Sequence, residues 1–169
     1  NASEKKRVAT LLHRIGPYHF ARATAAGRIA KTTLIEIFKS DEVYGWDYVP
    51  GAQGFERVTL FEKDSQSSRK IINAVQTALD EWRPEAVAIP GWADAVAFSA
   101  IQWCARRKIP VIVMSETTEW DEPRLFWKEW IKRRILKMCA IGFVGGPPHA
   151  RYLTRLGMDE EKIYQGDDA

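Results

Sequence analysis

The stretch Ala86-Val-Ala-Ile-Pro-Gly-Trp-Ala-Asp94, followed after a helix-length segment by Pro110-Val-Ile-Val-Met114, decides the reading of the fold. Each end is a short, nearly continuous apolar run of the kind a strand covered on both faces requires. Between them Asp94 is placed to cap a helix, and Val96, Phe98, Ala100, Ile101, Trp103 and Cys104 suggest burial on most of its sides. Strand, helix and strand together make a βαβ unit, with parallel strands and a right-handed crossover.

The same alternation extends in both directions. Arg7 to His13 reads as a first strand, with His13 packed inside it, and Gly16-Pro17 breaks it before a short helix from Tyr18 to Arg28. Thr32 to Phe38 and Arg57 to Glu62 are the second and third strands, separated by a loop from Tyr44 to Phe55. From Ser67 the period becomes helical, with Ile71, Val75, Ala78, Leu79 and Trp82 on one face and Pro84 as the stop. Downstream of Met114 come a polar loop, a helix from Arg124 to Met138, a strand from Ala140 to Val144, and a helix from His149 to Leu156 closed by Gly157. Ile163-Tyr164 begins another extended segment.

Six short strands alternating with helices predict a doubly wound, Rossmann-like parallel sheet, in the order 3-2-1-4-5-6, with helices on both faces. In such sheets ligands bind at the carboxyl ends of the strands, where the winding reverses. That rule nominates Ile15 to Arg22 and Pro90 to Asp94, flanked by Ser115-Glu116-Thr117.

Length and composition fit this picture. The chain has 169 residues, 46% of them hydrophobic and 28% charged, which argues against a disordered or fibrous chain and predicts one domain over 1–169. No apolar run approaches the ~18 residues that would span a bilayer, and no secretory leader is expected. The two cysteines, Cys104 and Cys139, are too few for a disulfide framework or a four-cysteine zinc site and point to the reducing cytosol. A net charge of +3 gives no licence for a nucleic-acid partner. Asn1-Ala2 is set aside from fold reasoning.

The motifs narrow the chemistry. The first strand-to-helix turn, Gly16-Pro-Tyr-His-Phe-Ala-Arg22, carries one early glycine instead of the three of a dinucleotide fingerprint, and Tyr18 and His19 fill the space a pyrophosphate needs. The sequence has no phosphate-loop Gly-Lys-Ser/Thr, nucleophile elbow, paired-histidine zinc motif or Cys-x-x-Cys, so neither a cofactor nor a metal is expected. Gly16 either presents helix-end amides to an anion or simply turns the chain. His19 and Arg22, three apart, either share a face toward that ligand or stand as solvated helix residues. Trp92 follows the expected switch point as a stacking surface or a core tryptophan. Glu116 sits just past a strand end, as a substrate-binding carboxylate or a surface acid. In the helix after Arg124, Leu125, Trp127, Trp130, Ile131, Ile135 and Met138 lie toward one side among Lys128, Lys132, Arg133, Arg134 and Lys137. That helix packs its apolar stripe on the sheet, lies on an anionic membrane, or offers Arg133 or Arg134 as a fork for a phosphate or carboxylate.

The late segments carry a resemblance. Ser115-Glu116-Thr, Asp121-Glu-Pro-Arg124, Lys128-Glu-Trp-Ile-Lys-Arg133, Phe143-Val-Gly-Gly146, His149-Ala-Arg-Tyr-Leu-Thr-Arg-Leu-Gly157-Met and Lys162-Ile163, in that order, resemble the N-terminal half of family 4 glycosyltransferases. The resemblance covers essentially the whole chain, including the Gly16 turn. It implies the GT-B architecture of two facing Rossmann-like domains, and retaining, metal-independent sugar transfer from a nucleotide-sugar donor to an acceptor hydroxyl. This chain would be the acceptor-side domain, inactive alone, with the donor-binding domain following Ala169. Many relatives have a glycine-rich turn where Pro17-Tyr18 stands here, and a histidine where Pro90-Gly91-Trp92 stands. His19 is therefore the histidine expected near the cleft.

The roles that follow are Gly16 amides toward the diphosphate, reinforced by Arg22. Tyr18, Trp92, Ser115 and Arg133 would bind substrate, and His19 and Glu116 would take the catalytic positions. The expected setting is cytoplasmic, with peripheral membrane contact as a further expectation. Two other readings stay open: half of a nucleotide-sugar epimerase of the same build, and a stand-alone, non-catalytic Rossmann-like binding module.

Overall fold

The computed structural model describes residues 4–40, 51–63, 65–92, 94–116 and 126–166. Its strands are β1 (Arg7–Leu12), β2 (Lys31–Ser40), β3 (Glu56–Lys63), β4 (Ala86–Pro90), β5 (Val111–Ser115), β6 (Ile141–Val144) and β7 (Ile163–Gln165). The helices are α1 (Pro17–Ala26), α2 (Ser68–Trp82), α3 (Ala95–Arg107), α4 (Phe126–Leu136) and α5 (Pro147–Arg155). The strands form one sheet in the order β3-β2-β1-β4-β5-β6-β7. The order matches the expectation, with β7 added at the edge where Ile163-Tyr164 was read as extended. The start of the helix expected from Arg124, and most of the loop from Tyr44 to Phe55, fall outside the described residues.

The chain divides into two compact units, Asn1–Val87 and Ala88–Ala169. In the first, β1 pairs with β2 and β2 with β3, both parallel, with Leu12 opposite Glu36 and Glu36 opposite Thr59. Helix α2 starts at Ser67, whose hydroxyl accepts from the Lys70 amide, and buries Ile71, Val75 and Leu79 at the expected spacing. It ends on Arg83, held at φ 50 in the left-handed region, one residue before Pro84. Gly27, at the end of α1, is required sterically: a Cβ there would lie 1.9 Å from the Gly54 carbonyl oxygen.

His13 departs from the sequence reading. The ladder stops at Leu12, and His13 turns out of the strand with its side chain exposed rather than packed. Its carbonyl still accepts from the Phe38 amide at 3.0 Å, so the backbone continues the pairing that the side chain leaves.

An acid inside β2 is the other unexpected feature. Glu36 is fully buried, and its carboxylate accepts from Arg57 Nε at 2.7 Å, Arg57 Nη2 at 2.9 Å and Thr59 Oγ1 at 2.6 Å. A charge taken out of water survives only when paired and hydrogen-bonded in this way, and the two-pronged guanidinium supplies both. The network ties edge strand β3 to β2.

In the second unit β5 pairs with β6 and β6 with β7, again parallel. Asp94 caps α3 as expected, its Oδ1 accepting from the Val96 and Ala97 amides at 2.8 Å each. Caps of this kind contribute about 1 kcal/mol. Val96, Ala97, Ala100, Ile101, Trp103 and Cys104 are buried, while Phe98 is only half-buried. Burial pushes the thiols of Cys104 and Cys139 up to about 12. Strand β6 meets α5 closely: a Cβ on Gly142 would lie 2.6 Å from Leu153 Cδ1.

Helix α4 corrects the expected stripe. Ile135 and Leu136 are buried, but Trp127, Trp130 and Ile131 are exposed, as is Met138 just beyond the helix. The inward side is instead partly polar. Lys132 Nζ donates to Tyr152 Oη at 2.9 Å, and that hydroxyl donates to Glu129 Oε1 at 3.0 Å. A lysine stem can lie along apolar surface while its ammonium finds such a partner.

Candidate functional site

In each unit the candidate residues other than Arg133 lie at the carboxyl ends of strands, the edge where α/β sheets bind ligands. In the first unit the turn after β1 gathers four of them. Gly16 is the N-cap of α1, in extended backbone (φ −90, ψ 175), and Pro17 opens the helix. Proline suits that position because the amide it lacks has no intrahelical partner there. Glycine brings no capping oxygen, and the side chain that reaches back is His19, whose Nδ1 accepts from the Gly16 amide at 3.4 Å. Tyr18 meets His19 edge-on with ring centroids 5.9 Å apart, and the Arg22 guanidinium lies 4.8 Å over the Tyr18 ring. The spacing of Tyr18 and Arg22 is i, i+4, so one helical turn stacks the cation on the ring.

This arrangement sets what the turn can do. The positive end of the α1 dipole, an imidazole in its first turn and a guanidinium held by an aromatic face in its second make a setting that favours an anion. With Nδ1 accepting from a backbone amide, the neutral His19 ring carries its proton on Nε2. From Nε2 it gives a hydrogen bond rather than taking a proton, which suits an oxyanion. Space is also present: a Cβ on Gly16 would meet only His19 Nδ1, at 3.8 Å.

In the second unit β4 ends at Pro90, and Gly91 (φ +67) takes the left-handed turn that carries the chain away. The Gly91 amide donates to the Met114 carbonyl at 2.7 Å, which sets this turn beside the end of β5. Ser115 is buried at that strand end, and Glu116 just beyond it is exposed. Trp92 is only 7% exposed and is packed as a core side chain. Stacking a ligand on its face requires that cover to move.

Arg133 is not with them. It sits near the end of α4 and donates to the Arg155 carbonyl at 3.5 Å, at the last turn of α5. Because α5 runs back from the carboxyl end of β6, that turn lies toward the opposite end of the strands from Ser115 and Glu116. The side chain covers helix-end carbonyls, a usual post for a cation.

His149 is read in the sequence only as a helix and motif residue, not as a site. Gly146-Pro-Pro-His149 repeats the Gly-Pro-x-His pattern of Gly16-Pro-Tyr-His19, again at a strand-to-helix turn with glycine as N-cap. In α5 the imidazole does not reach back to the glycine amide, and His149 Nδ1 is a buried atom with no hydrogen-bond partner. The recurrence of the tetrapeptide was the available signal.

A charged depression of about 710 Å³ opens in the first unit at the amino ends of the strands, lined by Lys5, Arg7, Lys31, Glu56 and Glu85 among others. Two of its acids are already paired, Glu85 with Lys6 at 2.7 Å and Glu56 with Lys31 at 3.6 Å. It lies at the end of the strands away from the Gly16 turn. Among the described residues no three His, Cys, Asp or Glu side chains form a group able to hold a metal ion.

No protein-family model matches the chain, and no curated protein does. Solved structures do. A putative UDP-N-acetylglucosamine 2-epimerase from Listeria monocytogenes is similar at a TM-score of 0.63 and 15% identity, over 95% of this chain and 44% of its own. A UDP-N-acetylglucosamine 2-epimerase from Rickettsia bellii gives 0.62 and 17%, over 97% and 45%. A lipopolysaccharide outer core galactosyltransferase gives 0.57 and 8%, over 94% and 44%. At such identities the likeness is one of fold, a Rossmann-like α/β domain of the GT-B kind. The chain spans less than half the length of these structures.

Proposed function

We propose that this chain is the acceptor-side half of a metal-independent glycosyltransferase that moves a sugar from a nucleotide-sugar donor to an acceptor hydroxyl. The observation that carries the reading is the turn after β1, where Gly16 caps the positive end of α1, His19 reaches back to its amide and Arg22 stacks on Tyr18. It is supported by the ordered motif series from Ser115 to Ile163 and by the likeness in fold to sugar-nucleotide enzymes of about twice this length.

In this reading the donor diphosphate lies against the Gly16 turn. Arg22 neutralises charge as the leaving phosphate departs, and His19 Nε2 donates to one of its oxygens. Retaining transfer by front-face attack lets the leaving phosphate take the acceptor proton, so the protein supplies position and charge more than acid–base chemistry. Glu116 and Ser115, at the end of β5, orient the acceptor or the transferred sugar.

A second reading is half of a nucleotide-sugar epimerase, favoured by the epimerases among the similar structures. The chemistry separates the two. Inverting a carbon centre requires a proton to leave and return, so a carboxylate such as Glu116 becomes worth about 10²–10⁴ in rate. Transfer asks it only to orient.

The test has two parts. Amide shifts of the labelled protein, titrated with UDP and with UDP-N-acetylglucosamine, are expected to move at Gly16 to Arg22 and to be lost in Arg22→Ala. An unmoved turn at millimolar ligand refutes the binding role. Proton NMR of UDP-N-acetylglucosamine with a protein that joins this chain to its following domain then tells C2 epimer from released UDP and transferred sugar. Glu116→Gln abolishing epimer formation selects the second reading.

A further inference from the structure

We propose that the outward face of α4 docks on an anionic lipid surface. At 3.6 residues per turn, Trp127, Trp130, Ile131 and Arg134 fall within an arc of about 100°, and Met138 follows in the turn just past the helix. Trp127 is 58% exposed, Trp130 53%, Ile131 41% and Met138 36%. Single exposed apolar side chains need no explanation, but two indoles and an isoleucine aligned on one side, with an exposed methionine just beyond, do. The opposite side of the helix is already occupied, by buried Ile135 and Leu136 and by the Lys132–Tyr152–Glu129 network.

Charge identifies the occupant. Glu129 is the sole acid of Phe126–Leu136, and Tyr152 holds it on the packed side. The outward rim is therefore basic, with Arg133, Arg134 and Lys137 all exposed. The Arg134 guanidinium lies 4.9 Å over the Trp130 ring, and Lys128 Nζ lies 5.9 Å from the centre of the Trp127 ring. A second copy of the chain on this face would set like charges against each other. A nucleic acid would use the indoles and cations but gain nothing from Ile131 and Met138. A bilayer surface uses all of them: indoles at the headgroup level, aliphatic groups beneath, cations on the phosphates. No helix among the described residues is long and apolar enough to cross a membrane, so α4, about 16 Å long, would lie in the plane of the surface. The inference does not depend on the sugar-transfer reading.

Co-sedimentation of the purified chain with vesicles of equal parts phosphatidylcholine and phosphatidylglycerol tests it. Binding is expected at low ionic strength, absent from pure phosphatidylcholine vesicles, and lost in salt that shortens the Debye length to about 3 Å. Removing two surface cations in R134S/K137S is expected to weaken it about 25-fold, roughly fivefold for each charge. W127S/W130S is expected to weaken it tenfold or more, with the thermal melt of each variant unchanged. Brominated lipid tails should quench tryptophan emission of the unmodified protein, a readout that needs no variant. The proposal is overturned if the anionic vesicles do not sediment the protein, or if both double variants bind like wild type. It is overturned equally if the same tryptophans drive self-association or polyuridylate binding while vesicles are left unbound.

Discussion

Replacing Arg57 by methionine removes two of the three hydrogen bonds that hold the Glu36 carboxylate, which is 0% exposed. Bonds to a charged group are each worth about 1.5–3 kcal/mol, which puts the gross loss at about 3–6 kcal/mol. Breaking a buried pair by removing one partner costs about 3–5 kcal/mol in general, because the remaining charge is stranded. Strand β3 lies at the sheet edge, and the Arg57 side chain is 10% exposed, so water can reach the stranded carboxylate. That relief favours the lower end, about 3 kcal/mol. For a chain of this size each kcal/mol moves Tm by about 2–4 °C, so Arg57→Met should melt about 6–12 °C below wild type. The double variant Glu36→Leu/Arg57→Met removes the charge together with its partner and should return to within about 1 kcal/mol of wild type. Urea unfolding followed by circular dichroism measures all three proteins. A loss under about 1 kcal/mol in the single variant, or a double variant no more stable than the single, refutes the account of Glu36 as a charge that Arg57 keeps soluble in the core.

Four further outcomes are expected. Gly27→Ala drives a Cβ to 1.9 Å from the Gly54 carbonyl oxygen and should cost more than about 2 kcal/mol, whereas Gly16→Ala, with only His19 Nδ1 near at 3.8 Å, should cost under about 1 kcal/mol while weakening nucleotide-sugar binding; parallel melts and titrations compare them. Lys108, the exposed cap of α3 at φ 57, should give about 0.5–1 kcal/mol of added stability as Lys108→Gly, read as a higher urea midpoint. With both thiols pushed up to about 12, native protein at pH 8 should react with iodoacetamide roughly a thousandfold more slowly than an ordinary thiol, and both cysteines should react at once in urea, as mass spectrometry would count. The Trp82 indole, donating to Glu56 Oε2 at 2.8 Å, holds that carboxyl below its ordinary 4.5. The resulting stability is present above pH 4.5 and fades as pH falls through the folded value, so Trp82→Phe should be weaker than wild type at pH 7, by under about 1 kcal/mol for so exposed a pair, and nearly equal to it in acid.

The sheet was legible because parallel strands buried on both faces leave short apolar runs rich in Val and Ile and punctuated by proline, as in Ala86 to Ile89 before Pro90 and Pro110 to Met114. Helix α2 was legible from the spacing of Ile71, Val75 and Leu79, and α3 from Asp94, a capping residue placed just before an apolar segment. What failed was any feature whose partner lies elsewhere in the chain. Glu36 looks like a blemish in an apolar run until Arg57 and Thr59, more than twenty residues on, are brought beside it by the β2–β3 register. His13 looked buried because its neighbours are, but the ladder stops one residue earlier and the next side chain leaves the sheet.

The same limit governs the candidate site. Gly16, Tyr18, His19 and Arg22 could be read together because they fall within seven consecutive residues at the start of one helix, and local spacing is what a sequence records. Their interactions could not: that His19 turns inward to the Gly16 amide, and so becomes a donor at Nε2 rather than a base, depends on which ring nitrogen the backbone engages. Arg133 shows the opposite case. Its residue type suits a phosphate, but helix α4 delivers it to the end of α5, where a carbonyl is the acceptor within reach. Periodicity misled most in α4 itself, since an apolar stripe is ordinarily the packed side of a helix. Here Glu129, Lys132 and Tyr152 satisfy one another on the inward face, so burying polar groups there leaves no orphan, and the indoles are released to the outside. A stripe that the fold does not use is free to meet something outside the fold, which is why the exposed tryptophans argue for a surface to dock on.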